Sequence, residues 1–173
     1  YLQEGFVDTW GFARYRREAG PTPPDSQTAP RVDTLQPADW EDIERFDPPA
    51  FGASRLSLLR ALSGRWPGAA RVVGPRGRLH GWMFGRDGRK AHQIGPLLAD
   101  DSATAQSLIT AALQNAPGAV YIDLLDRRKG ELRPWLQQQG FEFQRPFTRM
   151  VWGAQNAPGD TRRIWAVAGP ELG

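Results

Sequence analysis

Polar and apolar residues alternate from Arg31 to Leu35, the pattern of a short strand with one buried face. Trp40, Ile43 and Phe46 then recur at helical spacing, and Pro37 suits the first turn of a helix opened by residues 36–39. Asp47-Pro48-Pro49 predicts the end of that helix, because a residue before proline is pushed out of helical backbone. Leu56, Leu59 and Leu62 share one face of a second helix over residues 54–62, which Gly64, Pro67 and Gly68 close. Three strands are predicted next, at residues 70–73, 79–84 and 91–98. Pro75-Arg76-Gly77 turns between the first two, and Asp87-Gly88 marks a tight hairpin between the last two. Asp100-Asp101-Ser102 caps a helix over residues 103–116 that carries Leu108, Ile109 and Leu113. Beyond Pro117-Gly118 lies an apolar strand at residues 120–125. A helix entered near Pro134 runs to Gln139 and stops at Gly140, and strands at 141–152 and 164–168 finish the chain. The order is strand, two helices, three strands, helix, strand, helix, two strands. It predicts an α/β fold with a mixed, mostly antiparallel sheet flanked by helices.

Two segments echo each other at a separation of 135 residues (Gly5 to Gly140). Gly5, Phe6, Phe12 and Arg14 fall on Gly140, Phe141, Phe147 and Arg149 without a gap. Each segment reads as a helix end, a glycine stop and a strand. The separation is about the size of a small domain. On this reading residues 1–19 end a first copy, the Pro/Ser/Thr-rich residues 20–30 form an extended linker, and residues 31–173 make a second copy. A strand left over at residues 6–16 is expected to present an open edge, which favours a partner strand or a homo-oligomer.

Composition narrows the function classes. No stretch of 18 apolar residues spans a membrane, and no basic-then-apolar leader opens the chain, so a cytoplasmic protein is expected. The absence of cysteine excludes disulfides and thiol catalysis, and the two histidines, His80 and His92, lack the further ligands of a metal site. Arginines are spread along the chain around a net charge of only +3, which argues against a nucleic-acid interface. No nucleophile elbow, P-loop or dinucleotide fingerprint is present.

In its element order the chain resembles the GNAT superfamily of acyl-CoA N-acyltransferases. Ile94-Gly95-Pro96-Leu97-Leu98 is similar to the family's fourth strand, which splays from its neighbour and pairs with the pantetheine arm of the cofactor. Residues 136–141 are similar to its last helix and the Gly-Phe exit. Phe147-Thr148-Arg149-Met150 and residues 168–173 are similar to the ending of two-domain bacterial members. The resemblance implies transfer of acetyl from acetyl-CoA, a co-substrate, to a small-molecule or peptide amine, with no metal, and a first GNAT domain in cis. It implies cofactor contacts from Gln93, Ile94, Gly95, Leu97 and Leu98. His92 stands where a base would meet the amine, and Asp123 where a carboxylate would orient it. As plain strand residues, His92 fits a satisfied histidine and Asp123 an arginine partner.

Two positions depart from the family pattern. The loop after the fourth strand, normally Arg/Gln-x-x-Gly-x-Gly/Ala, is Ala99-Asp100-Asp101-Ser102-Ala103-Thr104, without a glycine. Two carboxylates there occupy the helix terminus that would hold a pyrophosphate, which predicts poor CoA binding by this domain. The tyrosine that protonates the leaving thiolate, four residues before the Gly-Phe exit, is Leu136 in the second copy and Tyr1 in the first. Both departures assign the chemistry to the first copy, with a catalytically degenerate structural or ligand-sensing module as the alternative for this one.

Overall fold

The computed structural model describes residues 2–21, 23–24 and 28–172. Strand β1 (Phe6–Arg17) leads to β2 (Val32–Thr34), helices α1 (Trp40–Phe51) and α2 (Leu56–Ser63), and strands β3 (Arg71–Val73), β4 (Gly81–Arg86) and β5 (His92–Ala99). Helix α3 (Ser102–Gln114), β6 (Val120–Leu125), α4 (Lys129–Gln138), β7 (Glu142–Trp152) and β8 (Ile164–Ala166) follow. From β2 onward this is the order the hydrophobic pattern predicts.

All eight strands form one sheet in the order β2-β3-β4-β5-β8-β6-β1-β7. Every pairing is antiparallel except β5 with β6. Helices α3 and α4 bury Leu108, Ile109, Leu132 and Leu136 on one face, against Ile94, Ile122 and Leu124. Helices α1 and α2 bury Ile43, Phe46, Leu59 and Leu62 on the other, against Trp82, Phe84 and Leu125. Two separate apolar faces of the sheet thus each gain a covering layer, which is the main stabilisation of such a fold.

Strand β1 is not an edge strand of the sheet: from Phe12 to Arg16 it is paired on both sides. It lies between β6 and β7, antiparallel to both, and its residues Phe12 and Tyr15 are buried. The edge strands are β7, beside β1, and β2 at the other end of the sheet.

Three local expectations change. Helix α1 does not end at Asp47 but continues through Pro48 and Pro49 to Gly52, whose φ of 93° and N–H bond to the Pro48 carbonyl (2.7 Å) close it. A proline's own φ suits a helix. The two carbonyls it leaves without a donor belong to exposed Glu44 and Arg45, where water serves. Helix α4 likewise starts at Lys129, ahead of Pro134, and the carbonyl deprived of a donor is that of exposed Gly130. The turn at Asp87-Gly88 is a wider connection over residues 87–91.

Candidate functional site

Strands β5 and β6 run side by side only at their beginnings, where His92, Gln93 and Ile94 pair with Val120, Tyr121 and Ile122. Beyond Ile94 they diverge, and the chain fills the gap with its own later residues. Ala166 of β8 pairs with Leu97 of β5 and with Leu124 of β6, and Ile164 pairs with Leu98. The Val167 N–H donates to the Asp123 carbonyl at 3.1 Å. Trp165 is fully buried, its indole Nε1 donates to the Ala99 carbonyl at 3.0 Å, and the Arg128 guanidinium covers its ring at 4.3 Å.

The packing leaves no slack. Gly95 has a φ of 135°, and a Cβ added there would stand 2.0 Å from the Val167 carbonyl oxygen. Gln93, Ile94, Gly95, Leu97 and Leu98 are all buried inside the sheet. An acyl-CoA arm needs free strand-edge amides on β5, and from Leu97 to Leu98 those are paired with β8.

The start of α3 is equally engaged. Asp101 caps it by accepting the Thr104 N–H at 2.8 Å. Asp100 meets Arg163 Nε at 3.0 Å and His80 Nδ1 at 3.2 Å. A pyrophosphate at this terminus would displace the cap and face two carboxylates. The residues present therefore do not fit an acyl-CoA in this cleft.

The proposed catalytic residues do not converge. Asp123 is fully buried and bound through both oxygens to Arg14, with Nε to Oδ1 and Nη2 to Oδ2 each at 2.8 Å. Arg14 also reaches Gln93 Oε1 at 3.4 Å and lies over the Tyr121 ring at 4.9 Å. The hydrogen bonds it donates to Asp123 hold the Arg14 guanidinium above its ordinary pKa against the opposing effect of burial. Asp123 is thus held by an arginine through both oxygens and is fully buried, out of reach of an incoming amine. His92 lies on the opposite face, its ring edge-on to Trp66 at 4.9 Å. Tyr1 lies outside the described residues. Leu136 is fully buried in the core between α4 and the sheet. Among the described residues no group of three or more His, Asp or Glu forms a metal site.

From the sequence Trp165 stands with Trp10, Trp66 and Trp152 as a tryptophan of the core or of an interface or pocket, and a lone tryptophan in a short apolar run carries no sign of which gap it will fill. The sequence offers Asp123 an arginine partner without saying which, and the structure makes that partner Arg14, the residue whose echo is Arg149.

These features fall within a known family. A model of the acetyltransferase (GNAT) domain matches residues 43–166, and the chain belongs to that family. None of the curated proteins compared with it matches. Among solved structures it is similar to a protein from Pyrococcus horikoshii described as an acetyltransferase, at 20% identity and a TM-score of 0.70, covering 100% of this chain and 55% of that one. It is also similar to a GCN5-related N-acetyltransferase from Sphaerobacter thermophilus (15% identity, TM-score 0.60, 86% of this chain and 53% of that one). A GCN5-related N-acetyltransferase from Anabaena variabilis resembles it at 12% identity and a TM-score of 0.55, over 87% of this chain and 42% of that one. The chain thus spans about half the length of these proteins.

Proposed function

We propose that this chain is the cofactor-free half of a two-domain N-acetyltransferase, in which a preceding GNAT domain binds acetyl-CoA and transfers its acetyl group to an amine. The observation that carries this reading is β8. Where the family holds the pantetheine arm, Trp165 and Ala166 fill the gap between β5 and β6 and use the strand-edge hydrogen bonds.

In the proposed reaction a neutral amine nitrogen attacks the thioester carbonyl. The C–S bond breaks, the thiolate takes up a proton from an acid, and the amine nitrogen loses one. The chain's contribution is to brace the catalytic domain through β1, which is locked into its sheet. Tyr1, four residues before the left-handed Gly5, is the residue the family resemblance offers as that acid.

Isothermal calorimetry with acetyl-CoA tests the reading. No heat of binding is expected from residues 1–173 at concentrations that saturate the longer protein containing them. Saturable binding by this chain alone would overturn the assignment and make it a cofactor domain in its own right. Absence of binding and of transfer by the longer protein as well would favour a structural or ligand-sensing module.

A further inference from the structure

Phe12 and Phe147 are related twice over. They are echo partners in the sequence, and they are directly opposite each other across β1 and β7, with rings stacked at 5.0 Å and 12°. Gly5 and Gly140, which precede the two strands, share the same left-handed backbone, with φ of 84° and 83°. Antiparallel strands that pair at an equivalent residue are exchanged by a local two-fold axis through that pair. Here Trp10 pairs with Arg149, and Arg14 with Arg145. The axis swaps these pairs, so Arg149 on β7 is the counterpart of Arg14 on β1.

The two arginines are not in equivalent surroundings. Arg14 has the buried Asp123 of β6 on its far side. Arg149 has no carboxylate within 4 Å among the described residues. It lies over the Trp10 and Phe51 rings, 5.7 Å from each, and burial together with the neighbouring Arg55 pushes its pKa down. A half-buried cation placed this way lacks its counter-charge.

The backbone beside it is also open. The Arg149 carbonyl accepts the Thr9 hydroxyl at 2.9 Å and so faces β1. By strand alternation Thr148 and Met150 turn their N–H and C=O groups to the free edge of β7. The same edge strand carries Phe143 and Trp152, 54% and 70% exposed, the exposed large hydrophobic residues of the described chain. An edge with open amides and apolar side chains is a template for another strand.

We infer that the free edge of β7 over Phe147–Trp152 docks an antiparallel strand of the preceding GNAT domain, the counterpart of β6, which places a carboxylate opposite Arg149. This rests on the proposal that such a domain precedes the chain. The axis specifies the occupant: as β6 flanks β1, its counterpart flanks β7, and one sheet runs unbroken through both domains. A second copy of this chain offers no such strand, since its β6 is already enclosed between β1 and β8.

Backbone amide exchange over residues 147–152 tests the inference, in residues 1–173 alone and in the longer protein. The Thr148 and Met150 amides are expected to exchange about a hundredfold more slowly in the longer protein. Arg149→Glu in the longer protein is expected to remove at least about tenfold of that protection, whereas Arg149→Lys retains most of it. Equal exchange in the two proteins would overturn the docking. Protection in the isolated chain that rises with its concentration would overturn the assigned occupant in favour of a second copy. Acetyl-CoA does not enter this readout, so a chain that binds the cofactor would sink the functional reading and leave the docked strand standing.

Discussion

Arg14 and Asp123 face each other across β1 and β6 and are joined by two 2.8 Å hydrogen bonds, with the Asp123 side chain fully buried and the Arg14 side chain 16% exposed. The pair ties a strand from the start of the chain to the middle of a sheet built from residues over a hundred positions later. Bidentate geometry fixes register as well as contact, because a shift by one residue would turn one partner to the other face of the sheet.

Removing one member of the pair should therefore be far worse than removing both. Asp123→Asn is expected to lower stability by about 3 kcal/mol, since it strands a largely buried guanidinium. The double replacement by leucine should recover much of that loss. Urea unfolding of Arg14→Leu, Asp123→Leu and the double leucine variant, beside Asp123→Asn, measures the coupling.

Trp165 closes the gap between β5 and β6. Trp165→Ala is expected to cost about 3–5 kcal/mol through the cavity it leaves. Trp165→Phe should cost about 1–3 kcal/mol, chiefly because the buried Ala99 carbonyl loses its donor. Thermal denaturation of both variants checks the order. If the alanine variant folds and gains acetyl-CoA affinity, the tryptophan is what keeps the arm out.

Replacing Leu136 by tyrosine should not restore an acid. Leu136 is fully buried, and a phenol there enters close-packed apolar surroundings rather than a cleft. Leu136→Tyr is expected to destabilise by about 1–3 kcal/mol and to leave acetyl transfer by the longer protein unchanged. A tenfold gain in transfer by the variant would contradict the cofactor-free assignment.

Asp42 gives the fold an acid-sensitive point. Burial, the largest single influence, pushes its pKa up. The Gly77 N–H at 2.7 Å and the Arg45 guanidinium together outweigh it and hold the carboxyl below the ordinary 3.8. A depressed folded-state pKa contributes stability that is complete above the unfolded value and is lost as pH falls through the folded one. Unfolding free energies measured downward from about pH 5 should fall less steeply below about pH 4 in Asp42→Asn than in the parent. Parallel slopes would show that the bonds to Gly77 and Arg45 carry no such linkage.

Much of the fold was legible from residue pattern alone. The apolar alternation at residues 120–125, the helical spacing of Leu56, Leu59 and Leu62, and the Asp101 cap are local signals, and each element stands where they predict. Proline was the weak guide. At Pro48, Pro49 and Pro134 the penalty depends on whether the deprived carbonyl meets water, and exposure is a property of the folded molecule.

By itself the sequence determined the element order and the echo between Gly5-Phe6 and Gly140-Phe141, because these follow from periodicity and spacing along the chain, and its residues 94–98 and 136–141 carried the resemblance to the family against which the glycine-free loop stood out. Only the tertiary structure decided that β8 fills the gap beside β5, that Asp123 belongs to Arg14, and that Phe12 meets Phe147 on a local two-fold axis. Those are choices among distant segments. Burial and hydrogen-bond satisfaction settle them once the whole sheet is assembled, and no window of neighbouring residues contains both partners.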